Sequence, residues 1–474
     1  MSDLANFKQY WKLPYGFFEG GSLPDGLRSC TVIEDPGMGS SIRHLQMRKV
    51  SIFCTVGWSS NHNDWPPILD LRDAKSGQVV ATVRKTSNGE LYCPFDIESI
   101  IDAFRLERYT ESTSRTAWLR HARQLYYRLK PLVPRGMQIK FRQLIAPLQG
   151  KRGFPDWPLD VSLDEFCQLF LWLILQASKV PRIPIIWFWP KGYSSCTVLT
   201  HDVETKNGYD NLWQIVDLER KYGFRSLWNF VPERYHVERQ TLTDLASDGF
   251  EIGVHGLNHD GMLFDSCDTF KSRTVQINHY LQAWNSEGFR APSAIRNIEW
   301  IASLIKATYD TSCPTSEIHT PQPGGCCSVF PFLIDQMVEL PFTMPQDHTI
   351  FSILKDESEQ IWFEVASKIM DQHGLINIIV HPDYLIDSNG LARYEAFLQW
   401  LQLQQQQHSI WVALPKEVAA WWKSRSQQQL RYDTSNWRVD GPETERSQIA
   451  YVSVTNHGLS FDVDEQAALD RQSL

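Results

Sequence analysis

The chain has 474 residues, roughly three times the ~150 of an average domain, so a single small module is excluded and two or three domains, or one large barrel with appendages, are expected. Apolar residues make up 42% and charged ones 21%, with an aromatic surplus of 18 Trp, 16 Tyr and 24 Phe, which rules out wholesale disorder, collagen and simple coiled coil. A formal net charge of −9 lacks the positive field that draws nucleic acid, so no nucleic-acid partner is expected.

Residues 1–112 carry short β-type runs such as Val50-Ser51-Ile52-Phe53-Cys54, separated by the turn signals Lys75-Ser76-Gly77 and Ser87-Asn88-Gly89. They predict a small, mostly-β N-terminal domain. Residues 1–8 contain neither a basic nor an apolar leader pattern, and the predicted setting is cytoplasmic. Nine cysteines, an odd number without a Cys-x-x-Cys pair, agree with a reducing compartment and argue against a disulfide framework or a Cys-ligated zinc.

A basic helical linker region is predicted over 113–192. Between 115 and 152 there are ten Lys or Arg and no Asp or Glu, a local charge of +10 that leaves −19 for the rest of the chain. Aromatic and aliphatic residues interleave with these cations. That pattern suits first a solvated helical face packed beside the acidic barrel, and also peripheral contact with the inner face of an anionic membrane. The apolar run 166–190 is broken by Lys179, Pro181, Arg182 and Pro184, short of the ~20 clean residues a span needs. A buried helix followed by a strand is expected there.

From 193 to 424 strands and helices alternate. Strands are predicted at 196–202, 225–231, 251–255, 288–292, 309–313, 337–342, 375–381 and 410–414, with amphipathic helices at 211–222, 269–284, 298–307, 359–372 and 393–406. The first of these helices should stop at Gly223. The fold class expected is α/β: a (β/α) barrel, distorted or seven- to eight-stranded, whose chemistry belongs at the carboxyl ends of its strands. Residues 425–474 predict a short C-terminal β extension.

Four groups of reactive side chains fall at those strand ends. In Thr200-His201-Asp202-Val203-Glu204, alternation turns Asp202 and Glu204 to one side and His201 to the other. In His255-Gly256-Leu257-Asn258-His259, the i, i+4 spacing brings both imidazoles to one face if a helical turn follows the strand. Two histidines and a carboxylate suit Zn²⁺ with a position left for water. Arg290-Ala291-Pro292 supplies a fixed guanidinium, and His381-Pro382-Asp383 closes the set. Each has an ordinary structural explanation: capping for Asp202, an ion pair for Arg290, a satisfied core histidine for His381, unrelated surface histidines for 255 and 259. Their shared location is what favours function.

This ordered set, with Ile378-Ile379-Val380-His381, resembles the polysaccharide deacetylases, the NodB-homology carbohydrate esterases, over about 195–385. The resemblance implies a distorted barrel and metal-assisted hydrolysis of acetyl groups on a carbohydrate substrate. Carried over by position, it makes Asp202 the general base, His255 and His259 metal ligands, Arg290 the residue that orients the base, and His381 the general acid. The cofactor implied is a divalent metal, zinc by ligand type. Where the family pattern has two adjacent aspartates, Val203 stands in the second place, and Glu204 becomes the third ligand. The family's aspartate with a nearby tryptophan is met only by Asp310, expected to support Arg290 or His381. His348 stands in reserve as a ligand or substrate contact, and the loop 321–327 is expected either to line a substrate groove or to be a plain surface connection. Two other readings remain open: a metal-independent, allantoinase-like amidohydrolase, and a non-catalytic carbohydrate-binding protein.

Overall fold

Strand β1 (Ser195–Val203) is buried along its whole length, as a strand covered on both faces must be, and alternation divides its side chains between two environments. Thr200 and Asp202 turn to the barrel interior, where both reach Arg290. His201 turns outward to the helix layer, where Nε2 meets Glu219 Oε1 at 2.8 Å. The structure, a computed structural model, describes residues 4–18, 27, 30–37, 41–57, 64–110, 135–150, 153–356, 358–385, 388–433, 436–456 and 458–463. The chain divides into two compact units, one formed by Met1–Ser112, Val161–Gly192 and Lys423–Leu474, the other by Thr113–Asp160 and Tyr193–Trp422.

The second unit holds the barrel. Its further strands are β2 (Leu227–Phe230), β3 (Glu251–His255), β4 (Gly288–Arg290), β5 (Tyr309–Asp310), β6 (Phe332–Ile334), β7 (Met337–Glu339), β8 (Leu375–Val380) and β9 (Ile410–Val412). All eight strands expected from the sequence are present, and β6 is an addition, paired antiparallel with β7. The order is β6-β7-β5-β4-β3-β2-β1-β8, with β9 alongside the start of β1. Every pairing except β6 with β7 is parallel.

No strand ladder joins β7 to β8 among the described residues. The segment after β7 takes that role instead: the Thr343 and Met344 N–H groups donate to the Asn377 carbonyl (3.1 and 3.3 Å). The Thr343 hydroxyl donates to the Leu375 carbonyl at 2.8 Å and accepts from the Asn377 N–H at 2.9 Å. The α/β sheet is therefore curled and closed by hydrogen bonds, a distorted barrel rather than a regular one.

The helices arise where the apolar period predicts them. Lys206–Tyr222 is capped by the Thr205 hydroxyl, which accepts from Asn207 N–H, and ends on Gly223 at φ 78°, the left-handed position where glycine costs least. Its Glu219 accepts from His201, from the Ser226 hydroxyl at 2.6 Å and from the Tyr394 hydroxyl at 2.6 Å. The Trp228 ring lies against His201 with centroids 4.3 Å apart. On the helix side of β3 and β4, Val254 and Phe289 pack with Phe270, Ile277, Leu281 and Ile301.

The first unit contains a six-stranded sheet built from residues 32–93, with Val32–Glu34 at one edge and Val50–Cys54 at the other. The apolar run forms a largely buried helix, Ser162–Ser178, then a strand, Arg182–Ile186. That strand pairs antiparallel with Ile449–Thr455, which continues into Gly458–Val463. The segment 161–192 thus groups with the C-terminal strands. All nine cysteines are free thiols. No helix among the described residues is long and apolar enough to cross a membrane. Residues 115–134, 151 and 152 of the basic stretch lie outside the described residues.

Glu219→Ala should lower stability by about 3 kcal/mol, because it strands three buried donors in the helix layer. A fall in the urea midpoint measures it, and an unchanged midpoint would refute this account of the outward face of β1.

Candidate active site

The barrel interior is polar at its carboxyl end, and the backbone explains how it is accommodated. Gly253 and Gly288 face inward on β3 and β4. A Cβ at Gly253 would sit 2.0 Å from Asn229 Oδ1, and one at Gly288 would sit 2.2 Å from the Tyr309 hydroxyl. These bare positions make room for an amide and a phenol inside the ring. Arg290 enters this space from β4, 2% exposed. Its Nε donates to the Thr311 carbonyl (2.9 Å), Nη2 to the Thr311 hydroxyl (2.9 Å), and Nη1 to the Thr200 hydroxyl (3.0 Å) and to Asp202 Oδ1 (2.9 Å).

Asp202 Oδ1 also accepts from Asn229 Nδ2 at 2.9 Å, its neighbour across the β1–β2 register. Both donors sit on one oxygen, leaving Oδ2 directed to His255, whose Nε2 is 3.8 Å away. Burial pushes the Asp202 carboxyl upward, but Arg290, His255, His381 and the Asn229 amide together outweigh it and hold the group well below the usual carboxylate range. Asp202 is therefore an anion at any ordinary pH.

His255 Nδ1 lies 3.1 Å from the Arg290 carbonyl, which fixes Nδ1 as the protonated nitrogen and leaves the Nε2 lone pair available. Burial brings this imidazole down to about 4, against the opposing pull of the Asp202 and Glu204 carboxylates. The chain leaves β3 in a bent turn and not in the helical turn that the i, i+4 spacing suggested: Gly256 has φ 62° and His259 φ 53°. A Cβ at Gly256 would meet Pro292 Cγ at 2.3 Å, so this turn requires glycine. The turn still brings the rings together, with centroids 5.1 Å apart. Next to it, Asp260 and Arg273 form a two-pronged pair, both contacts 2.7 Å.

His259 is buried, and neither of its ring nitrogens has a hydrogen-bond partner among the described residues. Nε2 lies 3.1 Å from Glu204 Oε1 without the alignment of a hydrogen bond. The other Glu204 oxygen accepts from the Tyr384 hydroxyl at 3.0 Å. Asp383 holds the Glu204 backbone, accepting from its N–H at 2.9 Å and from the Thr205 hydroxyl. Glu204 thus stands on the side of Asp202, as alternation predicts.

The donor set fits a divalent cation in kind. An orphaned, buried Nε2 on His259, a lone pair held ready on His255 and a carboxylate oxygen at 3.1 Å from the first are what a ligand sphere of two imidazoles and one carboxylate needs, and tetrahedral ligands around zinc stand about 3.3 Å apart. As the side chains stand, however, no three His, Cys, Asp or Glu groups among the described residues converge to enclose an ion.

His381 follows β8 and is 3% exposed. Its Nδ1 lies 2.6 Å from Asp347 Oδ1, and its backbone N–H donates to Asp347 Oδ2 at 2.8 Å. Burial lowers the imidazole, but Asp347, with Glu204 and Asp202, outweighs this and raises it to about 9. Asp347 was not singled out from the sequence, although it adjoins His348. The sequence signal was weak: one aspartate between Gln346 and His348, with no spacing that tied it to residue 381. Asn229 was missed in the same way.

Asp310 takes neither of its expected roles. Arg290 is held by Thr311, and His381 by Asp347. Asp310 accepts from the Ser312 hydroxyl at 2.5 Å and pairs in register with Glu339. Burial raises both carboxyls, Asp310 to about 6 and Glu339 well above the usual range, where the nearby Asp310 charge adds to the rise. The segment 321–327 is not a surface connection at its glycine end. Gly325 approaches the Thr315 carbonyl so closely that a Cβ would lie 2.2 Å from it, and Cys326 packs with Ile298, Cys313 and Phe332. His348 stacks on Tyr384, centroids 4.4 Å apart, and its Nε2 is 2.6 Å from Arg142 Nη1.

No family model matches the chain, and no curated protein matches it. Solved structures do. One described as a polysaccharide deacetylase from Mycobacterium smegmatis is 16% identical, covering 53% of this chain and 97% of its own, with a TM-score of 0.42. PuuE allantoinase is 10% identical, covering 49% of this chain and 92% of its own, also at 0.42. The peptidoglycan deacetylase PdaC from Bacillus subtilis is 17% identical, covering 48% and 90%, at 0.31. Polysaccharide and peptidoglycan deacetylases recur among the matches, and they are the proteins that the sequence motifs resemble. At such identities and scores the likeness accompanies the geometry and does not carry it.

The charge state of His381 depends on Asp347. In Asp347→Asn its value should fall from about 9, since burial then acts against Glu204 and Asp202 alone. Because the raised value belongs to the protonated form, the stability it contributes is complete below about 6.5 and lost as pH rises through about 9. NMR titration of the His381 ring measures the shift, and an unmoved titration in the variant would refute the pairing.

Proposed function

We propose that this protein is a hydrolase that removes acetyl groups from an N-acetylated sugar or polysaccharide. One observation carries the reading: a single cluster of strand ends holds a buried carboxylate kept ionised, Asp202, and a buried imidazole kept protonated, His381. Environments that push two titratable groups apart in this manner assign a proton acceptor and a proton donor.

In this scheme, water adds to the amide carbonyl carbon and gives a proton to Asp202 Oδ2, the oxygen not occupied by Arg290 and Asn229. Arg290 and Asn229 keep that carboxylate from rotating. As the carbon–nitrogen bond breaks, the His381 imidazolium protonates the departing nitrogen, and Asp347 retains the ring's orientation throughout. The products are acetate and a free amino sugar. His255, His259 and Glu204 would hold a divalent cation, zinc by ligand type. Such an ion, when bound, lowers the pKa of water and polarises a carbonyl.

A second reading, an amidohydrolase that needs no metal, keeps Asp202 and His381 in the same roles, since protein neighbours alone set the charge state of both. Metal content separates the two, since stoichiometric zinc in the purified protein disfavours the second.

The decisive test is acetate release from a panel of N-acetylated glycans together with metal analysis, comparing wild type with His255→Ala. Loss of about 100-fold or more in rate, together with loss of the metal, is expected of a ligand substitution. Activity that survives His255→Ala would overturn the metal-dependent reading, and inertness of the wild type toward every glycan would overturn the hydrolase itself.

A further inference from the structure

The helix Arg135–Gln149 presents an unusual outward face. Met137 is 61% exposed, Phe141 53% and Leu144 76%, at the i, i+4, i+7 spacing of one helical stripe. Lys140 and Pro147 are exposed along the same stripe. Leu354, from the π-helical turn His348–Leu354 packed on this helix, adds a fourth exposed apolar side chain. The other exposed large hydrophobics, Tyr15, Ile42, Val79, Val275 and Leu403, fall at scattered positions in the sequence. Beside the stripe opens a cleft of about 460 Å³, with Ala146, Pro147, Trp157, Ile353 and Leu354 in its wall.

The inward face of the helix reaches the candidate active site. Arg142 Nη2 donates to the His319 carbonyl at 3.1 Å, and Nη1 lies 2.6 Å from His348. His348 stacks on Tyr384, whose hydroxyl donates to Glu204. An apolar outward face and an anchored polar inward face reverse the usual arrangement of a surface helix.

We infer that this helix docks the protein on an anionic lipid surface, with Met137, Phe141 and Leu144 entering the headgroup boundary and Lys140 meeting lipid phosphates. Charge selects this occupant. In sequence, the stretch 115–152 to which this helix belongs carries +10 and the rest of the chain −19, so an anionic surface attracts the segment that bears the apolar stripe and Lys140. Self-association through the same stripe would set the Lys140 ammonium groups of two copies close to one another. Docking here would leave the Glu204 side of the barrel mouth near the bilayer, suited to a glycan carried on a lipid. The inference does not depend on the hydrolytic assignment, and its readout is binding.

The test is flotation of the full chain with vesicles of mixed phosphatidylglycerol and phosphatidylcholine, and of phosphatidylcholine alone. Wild type should float with the mixed vesicles only, and less so in high salt. Combining Met137→Ser, Phe141→Ser and Leu144→Ser should cut partitioning by ~10-fold or more, while Leu403→Ser should behave as wild type. Circular dichroism confirms that each variant is folded. Should the triple variant misfold, Lys140→Glu alone decides, with binding reduced several-fold expected. Wild type that stays unbound, or a folded triple variant or Lys140→Glu variant that binds undiminished, would overturn the inference. A wild-type dimer that the triple variant dissolves, without vesicle binding, would assign the face to a second copy and overturn it equally.

Discussion

The ion pair between Arg290 and Asp202 is the interaction around which the barrel is arranged. Both groups are nearly inaccessible to water, and removing two charges from solvent costs several kcal/mol each unless the remaining donors and acceptors are also met. The structure meets that demand with residues from five places in the ring. Thr200 comes from β1, Asn229 from β2, Thr311 from the end of β5, and Asn377 from β8 donates to the Thr311 hydroxyl. Arg290 itself comes from β4. A network of this kind tolerates little substitution, because loss of one member leaves a buried charge with a defective shell. It also explains why the strands carry glycine at 253 and 288, where any side chain would occupy the space of the polar groups.

From that pair follows the division of charge across the site. Arg290 keeps Asp202 ionised, and ionised Asp202, with Glu204 and Asp347, keeps His381 protonated although burial opposes it. Each group's state is thus set by its neighbours, and none by exposure to solvent. His255 stands on the other side of the balance. Burial outweighs the pull of Asp202 and leaves it neutral at ordinary pH, the state in which an imidazole offers a lone pair. Three buried titratable side chains within one strand-end cluster therefore occupy three different states: an anion, a cation and a neutral donor.

Much of this was legible in the sequence, and the limits are physical. Period-2 alternation is a local property, so the opposite orientations of His201 and of Asp202 with Glu204 could be read from five consecutive residues. The strand positions and the stop at Gly223 were legible for the same reason. Asp347 and Asn229 were not, because their importance comes from partners 34 and 27 residues away, and local spacing holds no information about which loops meet. Asp310 was assigned a role by analogy, and it instead pairs with Glu339 one strand over, outside the Arg290 hydrogen-bond shell. Ring closure by Thr343 was illegible too, since a single hydroxyl and two N–H groups leave no periodic trace.

The turn after β3 shows how the two levels combine. Two histidines four apart suggested a helical turn, and the imidazoles do meet, yet the backbone between them is not helical. The residue spacing was sufficient to bring the rings together by another route, through left-handed residues at 256 and 259. Glycine accepts that conformation without cost, whereas for His259 it costs of order 1–3 kcal/mol and persists only where the surroundings over-determine it. The surroundings here are visible: the Asp260–Arg273 pair on one side and the Arg234 guanidinium donating to the His259 carbonyl on the other. A helical turn would need no such supports. They brace the backbone from which the His259 ring projects, a buried ring whose nitrogens have no hydrogen-bond partner among the described residues.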